Sequence, residues 1–176
     1  MTFQNARILT CGIYLGLIIS SRFLLDFQEG FFYVLLSFVL LYAEPVLIFC
    51  TIKSVQQNES SSEWSVGKVI RFTMKVMIVG AIISSVVKFA YFEYARPAFF
   101  ARTIQESIDL LTSQVNYPQE SIDLAMRYMT SGTFAIVSGI SNLFWSIPLG
   151  AFIAYVMKQE KYIVYSDLVV NDDGEK

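Results

Sequence analysis

Four long apolar stretches decide what this chain can become. The hydrocarbon core of a bilayer takes about 20 mostly apolar residues in helix. Such runs fall at about 7–25 (including ILTCGIYLGLIISSRFLL), 31–52 (FFYVLLSFVLLYAEPVLIFCTI), 69–95 (centred on VMIVGAIISSVVKFAYF) and 133–157 (TFAIVSGISNLFWSIPLGAFIAYVM). Inside lipid every backbone N–H and C=O must find its partner within the segment, so each run reads as a helix. The fold class that follows is all-α: an integral membrane four-helix bundle occupying residues 1–165, with an acidic tail from 166 to 176.

Composition agrees and narrows the function. Of 176 residues, 55% are apolar and only 16% charged, against about 25% charged in soluble domains. That balance excludes a soluble globular domain and a disordered chain. A net charge of −2 gives no basic field for a nucleic acid. Histidine is absent, which removes Ser-His and Cys-His catalysis and histidine-built metal sites. No Gly-rich phosphate loop, metal-ligand cluster or nucleophile elbow is present, and no cofactor is expected.

The first run follows Arg7 but has no A-x-A cleavage site, so it reads as an uncleaved span. Lys and Arg in the loops set orientation. Lys53, Lys68, Arg71 and Lys75 flank the second loop, and Lys158 and Lys161 follow the last span. Both termini are therefore expected in the cytoplasm. The bases on the other side, Arg96, Arg102 and Arg127, lie in a longer segment where the rule is weaker. Cys11 and Cys50 then fall near the cytoplasmic ends of their spans, where a disulfide is not expected and buried packing is.

Between spans three and four, residues 97–131 carry helical periodicity. Phe100, Ile104, Ile108, Leu111 and Val115 recur on one face. After the Asn116-Tyr117-Pro118 break come Ile122, Ala125, Met126 and Met129. An amphipathic helical hairpin on the extracytoplasmic side is expected, its apolar side on the membrane surface or the bundle. The hexapeptide QESIDL occurs at 105–110 and again at 119–124, which reads either as a duplicated half-hairpin or as chance. Ser60 and Glu63 have capping-box spacing, placing a start for helix three in the polar second loop.

A charge at the bilayer centre costs at least about 2.5–3.5 kcal/mol on insertion scales, so each one needs a reason. Glu44 lies in span two just before Pro45, and Ser37, Glu44 and Thr51 stand seven apart on one helical stripe that should face protein. The functional reading of Glu44 is a proton or cation site, or a contact for a polar substrate. The structural reading is a carboxyl, protonated or paired with Lys75, that keeps helices in register. Gly80, Ser84 and Lys88 share a face of span three, sending Lys88 into the bundle toward Glu29, Asp26 or the hairpin, or out to the interface by snorkelling. Gly12, Gly16 and Ser20 form a second small-residue stripe on span one. Asn142 and Ser146 put polar groups into span four at a depth near that of Glu44, compatible with a shared cavity. Lys68, Arg71 and Lys75 form a narrow basic face suited to a lipid phosphate, a prenyl-phosphate head group or an acidic partner, and serve equally as a positive-inside signal.

The order of these features, with EWSVGKVIRFTMKV before span three, YFEYARPAF at its far end and KQEK after span four, resembles a family of uncharacterised four-span inner-membrane proteins typical of the Bacteroidetes, a domain of unknown function. Members are often encoded beside a glycosyltransferase similar to polyprenyl-phosphate mannose synthases. The resemblance implies a non-catalytic accessory subunit that anchors or positions such an enzyme, with Lys68, Arg71 and Lys75 as its contact. Membrane lipids are the other expected partner, and a homo-oligomer stays open. The alternative is a small transporter or lipid-translocating subunit using Glu44, Lys88 and Asn142. A membrane enzyme acting on lipid ranks last, because general-base and metal options are few.

Overall fold

A computed structural model describes residues 2–58, 64–114 and 118–172. Its described residues form helices and no strand: α1 (Phe3–Leu25), α2 (Phe31–Asn58), α3 (Val66–Ala90) running into a π-helical turn (Tyr91–Ala95), α4 (Pro97–Gln114), α5 (Gln119–Tyr128) and α6 (Ser131–Asp172). Four of these are long and apolar enough to cross a membrane: 3–25, 31–58, 66–95 and 131–159. Crossings by these four helices give a multi-span membrane protein. The start of α1, the end of α2, the start of α3 and the end of α6 then share one end of the bundle, the terminal end. The α1–α2 turn and the α4–α5 hairpin share the opposite, hairpin end.

Local chemistry sets the boundaries. Thr2 caps α1, its hydroxyl accepting from Asn5 N at 3.4 Å. Gly30 takes φ +127° between α1 and α2, a conformation that L side chains rarely adopt. Helix α3 starts from a cap at Ser65, whose Oγ accepts from Lys68 N. The capping box at Ser60 and Glu63 lies outside the described residues. At the other end of α3, Arg96 precedes Pro97 and is held out of helical geometry at φ −143°, ψ 58°. The helix closes by one wider turn, Arg96 N donating to Tyr91 O at 2.8 Å, and Pro97 opens α4. The two QESIDL copies lie on α4 and α5. Pro45 and Pro148 both lie inside helices. Helix α6 runs on to Asp172, into the acidic tail that the sequence sets apart from residue 166.

Helix α3 is the centre of the bundle, with α1 on one side and α6 on the other; α2 leans mainly on α1. Lipid tails are as apolar as leucine, so close packing rather than the hydrophobic effect must hold these helices together. The two small-residue stripes supply it by meeting each other. A Cβ on Gly16 would come within 2.8 Å of Ile83 Cβ and 3.1 Å of Gly80 O, and one on Gly12 within 2.5 Å of Val79 Cβ. On the other flank, a Cβ at Gly150 would stand 3.0 Å from Ile70 Cα. Around these close approaches Leu15, Ile48, Ile52, Val69, Phe72 and Val76 are fully buried.

Polar links then tie α3 to α6. Ser85 Oγ donates to Ala135 O at 2.9 Å, Lys88 Nζ donates to Ser138 Oγ, and Glu93 accepts from Ser131 Oγ. At the hairpin end Phe23, Phe27, Tyr91, Phe92, Phe99, Phe100 and Phe134 make a chain of edge-on and stacked rings with centroids 4.8–6.0 Å apart. It anchors α4 to the bundle. Buried packing holds for Cys11. Cys50 differs: it is exposed on α2, because that helix buries mainly the face containing Ile48, Ile52 and Val55.

Candidate functional site

Because α2 leans on α1 and α6 leans on α3, the fourth side of the bundle is left incompletely closed. Helices α2 and α6 touch only sparsely, and between them lies a cavity of about 600 Å³. Its lining comes from all four long helices: Arg22 of α1, Tyr42, Glu44 and Pro45 of α2, Met77 of α3, and Asn142, Trp145 and Phe152 of α6, with Leu41 and Leu149. Tyr42, Trp145 and Phe152 are 69%, 68% and 58% exposed. They form a rim on the outer surface of the bundle, so the cavity opens sideways, toward lipid.

Its polar centre is an ion pair. Arg22 Nη1 donates to Glu44 Oε1 at 2.8 Å, with the Glu44 side chain 12% exposed and the Arg22 side chain 33% exposed. The register of the α1–α2 hairpin brings the two together. Ser37 Oγ donates to Asp26 Oδ1 at 2.8 Å, which sets residue 37 level with residue 26 and hence residue 41 level with residue 22. The remaining three residues to Glu44 are about 4.5 Å of helix, within reach of an arginine side chain. The expected pairing of Glu44 with Lys75 is thereby replaced. Lys75 is exposed on α3, whereas Glu44 has turned its carboxylate to α1.

The stripe of Ser37, Glu44 and Thr51 does face protein. Glu44 bonds Arg22 of α1, Ser37 bonds Asp26 at the C-terminal cap of α1, and Thr51, whose hydroxyl also returns to Leu47 O at 2.8 Å, interacts with Cys11 of α1. Lys88 points into the bundle, 7% exposed, but its ligand is neither Glu29 nor the hairpin. Its ammonium is held by Ser138 and lies 5.4 Å from the centroid of the Phe23 ring. Arg22, Asp26 and Glu44 are the charged groups close enough to act on it. Snorkelling to the interface is not needed, because α6 and an aromatic face satisfy the charge.

Glu44 and Asn142 share the cavity wall, in keeping with their similar depths. Asn142 Nδ2 is 3.5 Å from Ser84 Oγ, at the long limit of a hydrogen bond. Ser146 is absent from that wall: it is fully buried, its hydroxyl donating to Leu143 O at 2.6 Å. Lys68, Arg71 and Lys75 lie apart from the cavity, exposed on the first turns of α3, with Lys68 Nζ 4.4 Å from the Trp64 ring centroid.

Arg22 is the site residue that sequence reasoning missed. The available signal was an arginine three residues inside the end of an apolar span, which needs a partner as much as Glu44 does. Arg22 and Leu41 also line a second cavity of about 280 Å³ nearer the hairpin end, with Leu25, Asp26, Gln28, Val34, Ser37 and Phe38. Arg22 and Leu41 thus stand in the walls of both cavities.

No match to the chain was found among curated proteins or solved structures. A family model described as "Protein of unknown function (DUF4199)" matches residues 10–159, nearly the whole bundle with its hairpin, and the chain belongs to that family.

Proposed function

We propose that this protein is a small transport subunit of the membrane, of the lipid-translocating kind, working through the Arg22–Glu44 pair. One observation carries the reading: an ion pair stands in the wall of a cavity that opens between membrane-length helices. The pair leaves room for a guest beside it, and its rim is aromatic and faces lipid. A cargo with an apolar tail would keep the tail outside the rim and bring only its polar head to Arg22 and Glu44. The test is reconstitution in liposomes with a head-labelled lipid and a membrane-impermeant quencher. Wild-type protein should speed exchange between leaflets, and Glu44→Gln should abolish the gain. Equal rates with and without Glu44 would remove the reading.

A second reading rests on the exposed basic face of α3. Lys68, Arg71 and Lys75 project from the terminal end, which suits a non-catalytic accessory subunit holding a polyprenyl-phosphate glycosyltransferase at the membrane. For either role we place the protein in the inner membrane with both termini in the cytoplasm, on the strength of the Lys and Arg clustered at the terminal end. Reporter fusions at the two ends test that orientation.

A further inference from the structure

We infer that the α2–α6 cavity selects a zwitterionic aminophospholipid head, its phosphate on Arg22 and its primary ammonium on Glu44. This rests on the lipid-translocating reading, and names the cargo of that same site.

Three observations support it. First, the pair has unused capacity. A guanidinium carries five N–H donors, and one of them is engaged, Nη1 to Glu44. Among the described residues the others have no partner, and Glu44 Oε2 accepts no hydrogen bond. Arg22 can therefore present a donor fork to phosphate while Glu44 presents an acceptor to an ammonium.

Second, the local charges cancel. Arg22, Lys88, Asp26 and Glu44 are the groups within electrostatic reach of one another here, two cations and two anions. Lys88 is committed to Ser138 and Phe23, away from the cavity wall, and Asp26 accepts from Ser37. A head group that is itself neutral, with one charge of each sign, preserves the balance. An anionic head would leave one excess negative charge in a low-dielectric setting, where that is most costly.

Third, the entrance suits a tailed ligand. Tyr42, Trp145 and Phe152 stand at a lateral opening, and Leu41, Met77 and Leu149 line the space behind it. An acyl chain can stay in the bilayer while the head reaches the pair, so the tail need not leave the lipid.

The rim carries its own reporter. The chain has two tryptophans, Trp64 near the terminal end and Trp145 on the cavity. In the Trp64→Phe background, quenching of Trp145 by tail-brominated lipid measures which lipid occupies the site. Mixtures of brominated phosphatidylethanolamine with plain phosphatidylglycerol, and the reverse, give the relative binding constant. We expect about a fivefold preference for phosphatidylethanolamine, the net strength of one hydrogen bond made in place of one to water. Glu44→Gln leaves the cluster with one excess positive charge and should reverse the preference toward phosphatidylglycerol. The double variant Arg22→Gln/Glu44→Gln restores neutrality without the pair and should show no preference. It also serves where the single variant fails to fold. An unchanged ratio in the tested variant, or no preference in the wild type, overturns the inference. Selectivity without Glu44-dependent exchange between leaflets would confirm the site and sink the transport reading alone. Exchange without selectivity would do the opposite.

Discussion

Arg22 Nη1 lies 2.8 Å from Glu44 Oε1, joining two helices whose intervening turn is only residues 26–30. Removing one member of a buried pair strands the other, at a cost of about 3–5 kcal/mol, whereas replacing both with apolar groups is often neutral. One-third exposure of Arg22 argues for the lower end of that range. Arg22→Leu and Glu44→Leu should each lower stability by about 3 kcal/mol, and the double variant should recover most of it. Unfolding by detergent titration reads all three. Losses that simply add would mean that the two side chains are not coupled.

The α1–α3 seam makes a sharper demand. Gly16→Ala would force its new methyl against Ile83 Cβ and Gly80 O at 2.8 and 3.1 Å, and the main-chain oxygen cannot swing away. Such overpacking costs about 1–3 kcal/mol. Gly67, in the first turn of α3, has nothing within 4 Å of a built Cβ, so Gly67→Ala should be neutral or stabilise by up to about 1 kcal/mol through helix propensity. Thermal melts of the two variants in one detergent compare them directly. Equal effects would mean that α1 and α3 do not meet at their small residues.

These two cases show which parts of the molecule are legible in its sequence. The spans, the hairpin and each small-residue stripe can be read, because apolar length and helical spacing are properties of one helix at a time. Glu44 and Asn142 can be matched by depth for the same reason. Partners across helices cannot. Gly16 meets Gly80 only because α3 is the central helix, and no local pattern encodes the order of packing. Arg22 reaches Glu44 because the first turns of α2 project beyond the end of α1, as the Asp26–Ser37 bond fixes. Symmetric folding about the turn would have put Glu44 far deeper than Arg22. Lys88 lies between Ser138 of α6 and the Phe23 ring of α1, because both helices cover that part of α3. The π turn has a readable cause in Arg96-Pro97.

Thr73 offers a test in the stabilising direction. It is fully buried on α3, and its hydroxyl has no hydrogen-bond partner among the described residues. Its neighbours include Gly150, where a built Cβ would sit 3.4 Å from Thr73 Cβ. A buried hydroxyl left unpaired costs about 1–3 kcal/mol. Thr73→Val keeps the shape and removes the polar atom, so it should raise stability by about 1 kcal/mol. A loss of that size in the same detergent titration would show that the hydroxyl is satisfied in the membrane.

Lys68, Arg71 and Lys75 separate docking from orientation. Each basic group near an anionic surface contributes about 1 kcal/mol, and all three are exposed. Reversing the three to glutamate should therefore weaken capture of an acidic partner or anionic head group at the terminal end by about a hundredfold or more. Lys53, Lys158 and Lys161 still mark that end as basic, so reporters fused to the two termini should report an unchanged orientation. A mild-detergent pulldown with mass spectrometry, run on wild type and the triple variant, reads the capture. A partner lost from the variant with orientation intact supports the accessory reading. Inverted reporters with the same proteins recovered would reduce the basic face to a topology signal.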